Sequence, residues 1–183
     1  MKTLSGQLLV ATPRLPDENF YRTVVLMIEH NENGALGVVL NRLADRSVEE
    51  LWQEVSDVEC HWHRPLNLGG PVSGPLMAIH TDSESAEMEI IPGLYLAAQK
   101  DNLDHLVQQE QHRCRIFLGH SGWGGGQLED EIKQGAWHIT QATLENIFHA
   151  EDDLWESVAK QIGDSVLATS LNIKNMPSDP SMN

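Results

Sequence analysis

Three groups of residues in this chain have types and spacings that could do chemistry. Gly119-His120-Ser121-Gly122-Trp123 opens like the G-x-S-x-G turn that lifts a nucleophilic serine out of a strand, and nine histidines offer candidate bases. Its fifth position is tryptophan, where the strained elbow needs a small residue. Cys60-His61-Trp62-His63 and His112-Arg113-Cys114 hold two thiols and three imidazoles, enough for tetrahedral zinc if the segments meet, yet no C-x-x-C pair is present. Arg22, following Asp17-Glu18-Asn19-Phe20-Tyr21, and the pair Asn41-Arg42 bring two guanidinium forks to strand ends, a geometry suited to a carboxylate or a phosphate. Each arginine could instead pair with an internal acid such as Asp17.

The serine segment runs on through Gly124-Gly125-Gly126-Gln127-Leu128-Glu129-Asp130-Glu131-Ile132, so that five glycines surround Trp123. Such a run suits a sharp turn with open N–H groups between a strand and a helix, where anions are often held. It is not a P-loop, because no Lys-Ser or Lys-Thr follows, and it is not a dinucleotide turn, because Gln127 stands where the third glycine belongs. The expectation that remains is a binding groove walled by Gly69, Gly70, Gly122, Trp123 and Gly124, with Arg22, Asn41 and Arg42 as polar contacts. No catalytic residue, metal or cofactor is assigned. The competing expectation is a hydrolase using Ser121 or a metal.

The elements that would position these residues are short. Gly6 to Thr12, Thr23 to Glu29 and Ala35 to Leu40 read as strands, the last two joined by a turn carrying Asn33-Gly34. Ser47-Val48-Glu49-Glu50 has capping-box spacing and predicts a helix over 47–56. Leu66 to Val72 reads as a glycine turn, Leu76 to His80 as a strand, and Ile90 to Leu96 as a strand broken by Pro92-Gly93. Asp101 is expected to cap a helix burying Leu103, Leu106 and Val107. Arg115 to Leu118 and Trp137 to Thr140 read as strands, Thr143 to Phe148 as a short helix, and Asp152 or Asp153 as the cap of a last helix. Residues from Pro177 on have no periodicity, so the domain is expected over 1–176 with a disordered tail at 177–183. Strands cluster early and then mix with helices, which favours mixed α+β.

A chain of 183 residues that is 40% hydrophobic can build one core. Its net charge of −15 repels nucleic-acid backbones, and its acids are scattered as solvated faces would be. Two lone cysteines, no signal-peptide pattern at the start and no apolar run of about 20 residues lead to the expectation of a cytoplasmic protein without a membrane segment. The expected partner is an unidentified small molecule or protein.

Five blocks, in order, resemble a known family: Gly6-Gln7-Leu8-Leu9-Val10-Ala11-Thr12-Pro13, Phe20-Tyr21-Arg22-Thr23-Val24-Val25, Gly34 through Asn41-Arg42, Leu68-Gly69-Gly70-Pro71-Val72, and Gly122-Trp123 through Gly126-Gln127-Leu128-Glu129 to Glu131-Ile132. The chain resembles the YqgE/AlgH family of uncharacterised bacterial proteins over residues 6 to 162. That resemblance implies one compact α+β domain with a bent, partly barrel-like sheet surrounded by helices, and it implies no catalytic residue. The family carries the label of transcriptional regulator; the charge and the lack of a helix-turn-helix pattern speak against direct DNA binding here. The family pattern has Tyr and Ala where this chain has His120 and Ser121, which counts against Ser121 as a nucleophile, and it has proline where this chain has Gly125, which implies a looser loop here.

Overall fold

The computed structural model describes residues 3–15, 17–60, 62, 64–109, 111–149 and 152–170. His61, His63 and the expected tail at 177–183 lie outside the described residues. The first three apolar runs fold into β1 (Gln7–Ala11), β2 (Val24–Asn31) and β3 (Gly34–Val39), with a single turn of 3-10 helix at Glu18–Phe20 between the first two. Each run is continuous rather than alternating because both faces are covered. Leu8, Val10, Val24, Leu26, Ile28, Val38 and Leu40 point to one core, while Leu9, Ala11, Val25, Met27 and Val39 point to another. The β2–β3 hairpin closes through Glu32 and Asn33, where the Asn33 N–H donates to Asn31 Oδ1 at 2.9 Å.

Two later strands complete this sheet: β10 (Ser121–Gly124) beside β3 and β11 (Trp137–Gln141) beside β1, giving the antiparallel order β10-β3-β2-β1-β11. A second sheet holds β4 (Leu43–Ser47), β5 (Pro65–Leu68), β6 (Met77–His80), β7 (Met88–Ile91), β8 (Leu94–Ala97) and β9 (Cys114–Leu118) in the order β4-β5-β9-β6-β8-β7, with only the β5–β9 pair parallel. The two sheets face each other across Met77, Ile79, Leu94 and Phe117 from the second sheet and the first set of β1–β3 side chains. They touch at one seam, where the Val39 N–H donates to the Gly69 carbonyl at 2.8 Å and the Leu68 N–H to the Arg42 carbonyl at 2.9 Å. The sheets do not close into a barrel.

Helices cover the outer faces. α1 (Val48–Val55) and α2 (Lys100–Val107) bury Leu51, Trp52, Leu103, Leu106 and Val107 against the second sheet, and α3 (Gln127–Lys133) covers the first with Leu128 and Ile132. α4 (Leu144–Ile147) and α5 (Leu154–Ser170) set Ile147, Leu154 and Val158 against the core between the sheets. The expected capping box is present in full: Glu50 N–H donates to Ser47 Oγ at 3.1 Å and Ser47 N–H to Glu50 Oε2 at 2.8 Å. Asp153 stands immediately before α5, its carbonyl accepting the Ser157 N–H. The result is one α+β domain. Among the described residues no helix is long and apolar enough to cross a membrane.

Four local expectations are corrected. The glycine segment after β9 is not a loop, since residues 121–124 pair with β3. Ile90 to Leu96 is two antiparallel strands joined at Pro92-Gly93, and Leu66 to Val72 contributes β5 before it turns. Asp101 sits inside the first turn of α2; Gln99 is the N-cap and makes no side-chain cap bond. The distant Glu87 carboxylate does that work, accepting from the Ala98 and Gln99 N–H groups at 3.0 and 2.8 Å and from Asn102 Nδ2 at 2.8 Å.

Candidate functional site

Trp123 is 6% exposed and belongs to the core beneath α3. Its ring stacks on Phe20 at 5.9 Å and meets Trp137 edge-on at 6.1 Å. Both indoles need an acceptor, and one carboxylate serves them: Trp123 Nε1 and Trp137 Nε1 donate to Glu131 Oε2 at 3.0 and 2.8 Å. Gln127, one turn earlier on α3, donates to Glu131 Oε1 at 3.0 Å and accepts the Gly124 N–H at 3.1 Å. The Gly-Trp motif and the downstream Gln and Glu are thus a clamp that fixes β10 to α3.

The other glycines serve close backbone approach. A Cβ on Gly69 would lie 2.3 Å from the Gly119 carbonyl oxygen, and one on Gly70, whose φ is +150°, would lie 2.4 Å from that of His120. This approach allows Val72 and His120 to exchange N–H···O bonds of 3.0 and 2.9 Å. Ser121 is fully buried, its hydroxyl donating to the Gly69 carbonyl at 3.1 Å, so it is a brace between strands with no exposed nucleophilic face.

The expected groove is divided by the length of β3. Trp123 pairs with Ala35, and the six residues from there to Asn41 span about 20 Å at about 3.3 Å each. Gly122 and Gly124 lie at the Trp123 end; Gly69 lies by Val39, towards the arginines.

Arg22, Asn41 and Arg42 do meet. They line a cleft of about 290 Å³ with Tyr21, Trp155 and two carboxylates, Asp152 and Glu156. Asn41 bolts the two segments together, Oδ1 accepting the Val24 N–H at 2.9 Å and Nδ2 donating to the Arg22 carbonyl at 2.8 Å. Arg22 is held at φ +51°, left-handed space that costs a side-chain-bearing residue about 1 kcal/mol or more. Its guanidinium stands over the rings of Trp155 and Tyr21, 5.1 and 5.5 Å from their centroids, and reaches Glu156 at 3.8 Å. Asp17 is not its partner, accepting the Asn19 N–H instead. Arg42 donates to the Asn41 carbonyl at 3.1 Å and to the Tyr21 carbonyl, and partial burial lowers its pKa. It is a half-desolvated cation satisfied by neutral oxygens.

The two Cys–His segments do not supply reactive thiols. Cys114 is buried in β9, where desolvation pushes its thiol far above the ordinary range, and Cys60 is shifted the same way by its own burial. Among the described residues no three ligating side chains gather as a metal site would require.

Three arginines that no sequence motif groups, Arg64, Arg113 and Arg115, converge on one cavity. Along the chain Arg113 stands beside a histidine and a cysteine, and Arg115 at the start of an apolar strand. A cation inside such a strand was the one available signal.

The sequence profile of the AlgH-like family matches residues 8–167. A UPF0301 protein of Myxococcus xanthus is 40% identical over 168 residues, covering 89% of this chain and 93% of that protein. Another, of Chlorobium limicola, is 37% identical over 189 residues, covering 100% and 97%. The solution structure of the AlgH protein from Pseudomonas aeruginosa superposes with a TM-score of 0.75 at 28% identity, over 97% of both chains. A crystal structure of a Corynebacterium diphtheriae protein gives 0.73 at 26% identity, over 88% of both. The profile match and the near-complete coverage agree with the stacked sheets and the glycine clamp, and the chain belongs to the AlgH-like family.

Proposed function

We propose that this protein is a non-enzymatic binding domain that takes a small carboxylate- or phosphate-bearing ligand in the cleft of Tyr21, Arg22, Asn41, Arg42 and Trp155. The observation that carries the reading is the strained Arg22 backbone, locked by Asn41 beside a half-buried Arg42 that has no carboxylate partner among the described residues. Backbone strain held by specific hydrogen bonds tends to collect at working sites. An oxyanion would give Arg42 the charged acceptor it lacks and would compete with the exposed Glu156 for Arg22. The aromatic faces of Tyr21 and Trp155 would hold the rest of the ligand.

Binding without turnover suits a regulatory role exercised through a protein partner, with occupancy of the cleft as the signal. The hydrolase reading finds no support in a sealed Ser121. Calorimetric titration with a panel of carboxylate and phosphate metabolites tests the proposal, using Arg22→Gln and Arg42→Gln. At least one compound should bind, and Arg42→Gln should weaken it about tenfold or more at unchanged melting temperature. Failure of the whole panel, or equal binding by Arg42→Gln, would refute it.

A further inference from the structure

A separate cavity of about 630 Å³, more than twice the volume of the Arg22 cleft at about 290 Å³, opens between the β5–β9 pair and α4. Its size falls within the range of roughly 300–1,000 Å³ typical of small-molecule sites. The chain has only 12 Lys and Arg against 27 Asp and Glu, yet Arg64, Arg113 and Arg115 all line this one space and Glu145 is its sole carboxylate among the described residues. In so acidic a protein, such convergence makes a local positive basin that low-dielectric walls focus outward.

Each guanidinium is held in place. Arg115, 7% exposed, forms the floor: it donates to the Ile147 carbonyl at 2.9 Å, to the Leu40 carbonyl and to Asn67 Oδ1. Asn67 is itself fixed, Nδ2 donating to the Ile116 carbonyl at 3.1 Å. Arg64 lies over the buried Trp62 ring at 5.0 Å from the centroid, and Arg113 over Phe148 at 6.0 Å. Neither Arg64 nor Arg113 pairs with a carboxylate among the described residues. Stacking leaves their N–H edges free for an anion while limiting the rotamer entropy lost on binding. The half-buried Phe148 adds apolar wall to the same space.

We propose that this cavity binds an organic phosphate of nucleotide size, the phosphate between Arg64 and Arg113 above the Arg115 floor and the organic part against Phe148. A multi-oxygen anion is the class that uses two fork-shaped donors together. Glu145 opposes the anion from the rim and limits how much negative charge is tolerated.

Calorimetry with ADP and with inorganic pyrophosphate tests this. ADP should bind more tightly than pyrophosphate, Arg64→Gln and Arg113→Gln should each weaken ADP by about tenfold, and Glu145→Gln should tighten both probes. Because Arg64 and Arg113 are exposed, their variants should melt with the wild type. Arg14→Gln, which removes an exposed cation lining neither cavity, should leave both affinities unchanged, which rules out a general charge effect. No binding of either probe at about 1 mM would overturn the proposal, as would wild-type affinity in Arg113→Gln or an equal loss in Arg14→Gln. Pyrophosphate binding as tightly as ADP would overturn its organic part.

Discussion

Glu131→Ala is the sharpest test of the glycine–tryptophan motif as a structural clamp. The substitution removes the acceptor for Trp123 Nε1, Trp137 Nε1 and Gln127 Nε2. The two tryptophans are 6% and 4% exposed, so their N–H groups would be left in the core with little access to water. A buried donor stripped of its partner costs about 1–3 kcal/mol, and a bond to a charged acceptor about 1.5–3 kcal/mol; Gln127 can turn to solvent at little cost. Some water entry beside the shortened side chain lowers the sum, giving about 2–4 kcal/mol. At about 2–4 °C per kcal/mol for a domain of this size, the melting temperature should fall by about 5–15 °C. Glu131→Gln keeps an acceptor and should lose about half as much. Urea melts followed by tryptophan fluorescence supply the free energy and report the changed surroundings of Trp123 and Trp137. A loss below about 0.5 kcal/mol, the scale of a neutral surface change, would refute the clamp.

Two further outcomes follow from titratable groups, one buried and one exposed. His80 is fully buried; burial lowers its pKa below the ordinary 6.5, outweighing Asp82 and Glu87, which raise it, and His112 adds to the lowering. The unfolded state therefore binds the extra proton, so stability is full above about pH 6.5 and declines below it by at most about 1.4 kcal/mol per pH unit. Urea midpoints between about pH 7 and pH 5 should show that slope, and His80→Leu should flatten it; an undiminished slope in the variant would assign the effect elsewhere. For Glu87, burial alone would raise the pKa, but hydrogen bonds from Asn102, Gln99 and Ala98 hold it below the ordinary 4.5. Its contribution is thus present above about pH 4.5 and lost in more acid solution. Because the carboxylate is exposed, Glu87→Ala should cost only about 0.5–1 kcal/mol near neutrality, seen as increased amide exchange in the first turn of α2; wild-type exchange there would show that the helix starts without it.

The sequence by itself determined what is local. Continuous apolar runs specified β1 to β3, Ser47 and Glu50 specified the start of α1, and Leu103, Leu106 and Val107 marked the buried face of α2. These signals survive because a few neighbouring residues carry the whole interaction. The ordered motif blocks were legible for the same reason, and they identified the family.

What only tertiary structure decided involves partners far apart in the chain. Residues 121–124 are a strand because β3, more than eighty residues earlier, offers them a ladder, and Glu131 reaches back to their tryptophan. Glu87 caps α2 from just before β7, a role the sequence suggested for the nearer Asp101. Arg22 and Asn41-Arg42 were each visible as polar residues at strand ends, but their meeting in one cleft depends on the β2–β3 pairing and on Trp155 arriving from α5. Arg64, Arg113 and Arg115 were not legible as a group at all. The parallel pairing of β5 with β9 and the docking of α4 create their cavity, and no spacing along the chain encodes a juxtaposition that two stacked sheets produce.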